Sequence, residues 1–214
     1  MAESPKSITL VYLDDGLLVI DKPAGLLSQP GRRPEKWDSV YTRLQPVYPN
    51  ACVVHRLDEP TSGLMMLALG QAMSSGLSRA FRERLVHKRY EAIVNGIMTE
   101  DQGSIDIPLI ADWPNRPRQK IDYENGKPSL THYQVMERNH DENWTRVDLE
   151  PFTGRSHQLR MHLMALGHPI LGDPLYADPV VLAKAPRMYL HAKHLSFEHP
   201  ITGVPMVFDL PVPF

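Results

Sequence analysis

Two apolar runs are separated by one polar bend. Ala51-Cys52-Val53-Val54 comes first, Leu64-Met65-Met66-Leu67-Ala68-Leu69 second, and His55-Arg56-Leu57-Asp58-Glu59-Pro60-Thr61-Ser62-Gly63 lies between them. Runs of this length and make-up read as buried strands, and the stretch from Glu59 to Gly63 is turn chemistry. Any fold must therefore end one strand, release a guanidinium and a carboxylate at the edge of the core, and turn back into another strand. At strand spacing Arg56 and Asp58 point to one face, which makes a candidate active-site corner. A surface Arg and Asp flanking a turn would satisfy the same pattern.

The rest of the chain is read around that corner. Residues 8–13 and 17–22 form strands joined at Asp14-Asp15-Gly16, and Pro23 to Leu27 end the hairpin. Residues 28–37 read as an exposed loop, and Asp38 as the cap of a helix over 39–45 that Pro46 ends. Met73, Leu77, Ala80 and Phe81 recur at helical spacing within 71–84. Strands follow at 88–94, 103–109, 130–135 and 144–150. Ser156 or Thr153 is placed to cap a helix running to Leu166, with Gly167 as its stop. Residues 179–186 read as a short helix, and 189–197 with 206–210 as a closing antiparallel pair. Strands outnumber helices and are joined by short turns, so the expected class is α+β with a mixed, largely antiparallel sheet. At 214 residues the chain can bury one substantial core or two small ones. A single domain over 1–214 is expected, with 1–7 flexible.

The net charge of −2 is not the basic footprint of a nucleic-acid binder. Its distribution is uneven, however. Arg79, Arg82, Arg84, Lys88 and Arg89 stand against Glu83, and Arg116, Arg118 and Lys120 against no acid, while within 137–150 Glu137, Asp141, Glu142, Asp148 and Glu150 stand against Arg138 and Arg146. A segregated chain can be acidic overall and still present a basic cleft; a solvated helix face would explain the first cluster equally. Residues 111–120 combine two prolines, three basic residues and Trp113, which excludes a regular element. Such a loop suits phosphates and unstacked bases, or is a surface loop over a tucked Trp113. One cysteine excludes an internal disulfide framework, no run spans a bilayer, and the N-terminus lacks a signal pattern. A cytoplasmic setting is the expectation.

Several chemistries fit poorly. His157 and His162 are five apart, His191 and His194 fall on opposite strand faces, and a zinc site is not expected. There is no phosphate-binding Gly-rich loop. Glu59 and Asp58 are strand neighbours on opposite faces, a poor glycosidase dyad.

His-Arg-Leu-Asp followed by Thr-Ser-Gly-Leu resembles the signature of the RluA family of pseudouridine synthases. So do Lys22-Pro23 with Gly25-Leu26, the alternating Lys88, Tyr90, Ala92 and Val94, the run from Thr153 to His162, and Gly167 to Asp173. The resemblance implies the synthase catalytic-domain fold, with helices and loops flanking a central RNA-binding cleft. It implies Asp58 as the catalytic residue acting at the ribose, Tyr90 against the target uracil, and Arg155 as the partner of Asp58. His55, Arg56, Thr61, Arg82, Lys88, Trp113, Arg116, Arg118, His157, Gln158 and Arg160 are the expected RNA contacts. The family's reaction needs no metal or other cofactor. Only about fifteen residues precede the first family-like strand, so the extra RNA-binding domain of many members is expected to be absent. The stretch Asp112-Trp113-Pro114-Asn115-Arg116-Pro117 resembles the RluA branch itself. That branch implies a tRNA anticodon stem-loop and a 23S rRNA hairpin as partners, with no membrane and no obligate protein partner. A non-catalytic RNA binder using the same cleft is the alternative. It would have no use for a carboxylate that repels phosphate.

Overall fold

The computed structural model describes residues 7–214. The flexible tail expected over 1–7 lies outside them except for Ser7, which is exposed and in no element. In chain order the elements are β1 (Thr9–Leu13), β2 (Leu17–Lys22), α1 (Val40–Leu44), β3 (Ala51–Val53), β4 (Ser62–Leu69) and α2 (Gln71–Arg82). Next come β5 (His87–Asn95), β6 (Gln102–Asp106), β7 (Leu109–Ala111), β8 (Gln119–Ile121), β9 (Leu130–Asn139) and β10 (Trp144–Pro151). The last are α3 (Gln158–Ala165), α4 (Pro179–Ala183), β11 (Leu190–Glu198) and β12 (Pro205–Asp209). The class is α+β with largely antiparallel pairing, as the strand-rich pattern implies. The chain forms two compact units. The first runs to Lys88 and resumes at His191–Pro213, and the second is Arg89–Leu190 with Phe214.

In the first unit β4 is the hub. It pairs antiparallel with β2 along its length and with β3 at its far end, while β11 runs parallel to its start. The reason is composition: Leu64 to Ala68 expose nothing, so this strand must be covered on both faces. α2 supplies one cover through Met73, Leu77 and Ala80, and turns Arg79 and Arg82 outward. Burying each large apolar side chain of this cluster contributes about 1.5–3 kcal/mol. The β1–β2 reversal is held by Asp14, whose carboxylate accepts from Gly16 N–H at 2.8 Å and Leu17 N–H at 2.7 Å. α1 is capped by Ser39 rather than Asp38. Ser39 and Thr42 form a reciprocal capping box, and Asp38 instead pairs with Arg43.

In the second unit the order is β5-β10-β9-β6, all antiparallel, with α3 packing Leu159 and Leu163 against Ala92, Val94, Val147 and Leu149. Segment 111–120, read as irregular, is partly regular. β7 and β8 form a short hairpin, and residues 112–118 are its tip.

Candidate active site

Asp58 lies in a loop, not on a strand extension. β3 ends at Val53, and residues 54–61 cross to β4 without pairing. The same-face argument for Arg56 and Asp58 fails there, because period-two alternation holds only in extended, paired backbone. Arg56 is exposed and Asp58 half-buried. The Asp58 carbonyl accepts from Thr61 N–H at 3.1 Å, closing a turn over Glu59-Pro60.

That loop is braced from below. Lys22 is fully buried, and its ammonium donates to the carbonyls of Leu26 at 2.7 Å, Pro23 at 3.0 Å and Glu59 at 3.2 Å. Gly25 N–H also donates to Glu59 O, at 2.7 Å. Ser28 Oγ and the Leu57 backbone bond reciprocally at 2.7 and 3.0 Å. Both residues flanking Asp58 are thus pinned to the turn that follows β2. Lys22 and Ser28 were not among the expected site residues. The available signal was Lys22 itself, a cation continuing the apolar run from Leu17 to Ile20. At Gly63 (φ +108°) a side chain would strike the backbone nitrogen, carbonyl carbon and oxygen of Ala192, so only glycine lets β11 lie against the start of β4.

Two neighbours of Asp58 expected on RNA have partners inside the protein. The His55 ring accepts from Met66 N–H at 2.9 Å and stacks on Phe81 at 4.8 Å between centroids. Burial, helped by the charge of Lys88, pushes its pKa down to about 3, so the ring is neutral. Thr61 is 2% exposed. Lys88 is partly exposed, and burial lowers the pKa of its ammonium. Arg82 is exposed.

In the second unit Tyr90 sits half-buried on β5, opposite Leu149 of β10. Its neighbour Arg89 is held by Asp148 at 2.8 Å, which removes one member from the expected basic cluster. Arg155 is exposed in the turn between β10 and α3, with Nε donating to Pro128 O at 3.2 Å. The turn is fixed by the buried amide of Gln158. Its oxygen accepts from Thr153 Oγ1 at 2.8 Å and Arg155 N–H at 3.0 Å; its nitrogen donates to Leu130 O and Thr131 Oγ1, each at 3.0 Å. Thr131 continues to His162 Nδ1 at 2.9 Å, and His162 Nε2 reaches Ile107 O at 3.1 Å. Burial lowers the His162 pKa.

Gln158 and Arg160 therefore cannot be RNA contacts. Arg160 is 1% exposed and forms a two-bond pair with Asp173, both at 2.7 Å. α3 buries every residue from Gln158 to Leu163, so its polar side chains had to find internal partners. The helix also starts differently from the expectation. Its first turn is preceded by His157 in the left-handed region, and neither Thr153 nor Ser156 caps it. His157 is half-buried, with Nδ1 at 2.7 Å from Tyr176 Oη.

Trp113, Arg116 and Arg118 share the exposed tip of the β7–β8 hairpin. Trp113 is 67% exposed rather than tucked beneath the loop, and the Arg116 guanidinium lies over its ring. Asp112 and Asn115 stiffen the tip through Asn115 Nδ2 to Asp112 Oδ2, 2.8 Å, and paired backbone bonds. No helix among the described residues is long and apolar enough to cross a membrane.

The model of the RNA pseudouridylate synthase family matches residues 16–165. Over 207 residues the chain is 53% identical to the dual-specificity RNA pseudouridine synthase RluA of Escherichia coli K12, spanning 97% of this chain and 94% of that protein. The protein of the same name in Yersinia pestis is 53% identical over 205 residues, 96% of this chain and 99% of its own. The solved structure of human RNA pseudouridylate synthase domain containing 1 superposes with a TM-score of 0.82 at 31% identity, over 99% of this chain and 87% of that one. On that family match and that identity, the chain belongs to the RluA family of RNA pseudouridine synthases, isomerases that act on RNA.

Proposed function

We propose that this isomerase acts on two hairpin RNAs, at uridine 32 of a tRNA anticodon loop and uridine 746 of 23S rRNA. Two of its relatives carry dual specificity in their names, which supports two classes of RNA for this chain. The observation that carries the catalytic reading is the half-buried Asp58 loop, held on both flanks by Lys22 and Ser28. A carboxylate used in chemistry must be held in place, and this one is carried by backbone that has little freedom to move.

The reaction breaks the N1–C1′ bond of uridine, turns the base and joins C5 to C1′. The C5 proton is released and N1 takes one up, so no atom is gained or lost. Asp58 is the group acting at the ribose, as nucleophile at C1′ or as base at C2′. Either role requires its ionised form, and Arg155 is the cation assigned to keep it so. Tyr90 lies against the uracil. The target nucleotide must leave its stack to be reached, and exposed Arg56 is suited to fill the space it vacates or to hold a phosphate. Trp113, Arg116 and Arg118 grip RNA from the hairpin tip; Arg82, Lys88 and His157 remain as further contacts.

The test is tritium release from RNA labelled at uridine C5, on both hairpins, with wild type beside Asp58→Asn. Release by wild type and none by the variant, with RNA binding retained, is the expected result. Inert hairpins alongside a reactive different RNA would overturn the choice of substrate.

A further inference from the structure

Tyr176 joins three parts of the second unit: the β7–β8 hairpin, the turn that carries Arg155, and the buried Arg160–Asp173 pair. Its hydroxyl accepts from Gln119 N–H at 2.8 Å, the first residue after the hairpin tip that carries Trp113, Arg116 and Arg118. The same oxygen lies 2.7 Å from His157 Nδ1, two residues from Arg155. Its ring covers the Arg160 guanidinium at 5.0 Å and meets the His157 ring edge-on at 5.6 Å and 78°. Below, the Asp173 carboxylate accepts from Tyr176 N–H at 3.1 Å and Leu175 N–H at 2.8 Å while holding Arg160. The tyrosine stands on a buried ion pair.

The residue it holds is under strain. His157 has φ 54° and ψ 21°, and apart from Arg84 and Asn143 it is the sole non-glycine residue with positive φ among those described. A left-handed, non-glycine residue persists where its surroundings over-determine it. On one side Gln158 fixes Arg155 N–H, and on the other Tyr176 fixes the His157 ring.

Resting on the hairpin-RNA reading above, we propose that Tyr176 is a positioning residue. Its hydroxyl ties the root of the RNA-gripping β7–β8 hairpin to the turn that carries Arg155, so that RNA seated on the tip finds Arg155 already placed. Trp113, Arg116 and Arg118 then contribute to rate as well as to grip.

Tyr176→Phe removes the hydroxyl and keeps the ring over Arg160. Single-turnover kinetics, with enzyme in excess over RNA that the wild type modifies, separate the saturating rate from affinity. The expected result is a saturating rate lower by about ten- to a hundredfold, with affinity and melting temperature close to wild type. Hydrogen–deuterium exchange of the free protein gives a second readout that needs no activity: amides of 119–121 and 155–158 should exchange faster together. An unchanged saturating rate, a loss confined to affinity, or faster exchange in one segment alone would overturn the proposal. Should the wild type fail on both hairpins, the substrate assignment falls, and the exchange experiment still decides the role of Tyr176.

Discussion

Arg160 gives the sharpest separation between the sequence reading and the structure. A basic residue in an RNA enzyme is readily taken as a phosphate contact, whereas here it is sealed against Asp173, with both side chains 1% exposed. Arg160→Met keeps the bulk and deletes the charge. Asp173 would be left as a buried carboxylate satisfied by the Leu175 and Tyr176 amides alone. Breaking a buried pair from one side costs about 3–5 kcal/mol, which for a chain of this size lowers the melting temperature by about 6–20 °C. Adding Asp173→Asn, which retains an acceptor for both amides, should restore most of that loss. RNA binding supplies the opposing measurement. A lost phosphate contact lowers the slope of log affinity against log salt by about 0.7–0.9, and no such change is expected for the folded variant. Unaltered melting together with a reduced salt slope would refute the burial argument.

Three further outcomes follow from the geometry. Gly63→Ala forces a side chain into the Ala192 backbone at a left-handed position and should destabilise by about 2–5 kcal/mol in urea titration; a cost under about 1 kcal/mol would mean that β11 gives way. The folded His55 titrates near pH 3 instead of 6.5, so the folded state binds fewer protons than the unfolded chain between these values. Stability is therefore full above pH 6.5 and falls on acidification, by on the order of 2 kcal/mol near pH 5. His55→Gln should flatten that slope, and identical slopes would remove His55 as its source. Trp113→Ala should weaken RNA binding by about 1–3 kcal/mol if a base stacks at the hairpin tip, measured by fluorescence anisotropy. Unchanged affinity would leave Trp113 with no role in grip.

Strand positions were legible because burial imposes a period. Leu17 to Ile20 and Leu64 to Leu69 can be covered only as strands in the core, and α2 shows its apolar face at helical spacing. The Asp58 loop was legible as a motif but not as a shape, since residues 54–61 take their course from Lys22, Ser28 and Gly25, which are distant in sequence. The same limit applies to α3. Gln158, Arg160 and His162 look solvent-facing by residue type, and their partners Thr131, Asp173 and Ile107 come from other segments. Cap identity failed for a smaller reason. Asp38 and Ser39 are both good caps, and the Thr42 hydroxyl that decides between them forms its bonds only in three dimensions.

The first unit is discontinuous, and that orders events during synthesis. The strand lying parallel to the start of β4, where the Asp58 loop re-enters the sheet, comes from residues 190–198. A nascent chain that has emerged as far as α3 already carries Asp58, Tyr90 and Arg155, yet the sheet edge at Ser62 and Gly63 is still bare. Closing it joins residues some 129 positions apart, as in the Ser62–His191 hydrogen bond, and long-range pairing of this kind is slow to form. The Asp58 loop's seat on the sheet is therefore completed only once β11 has been made.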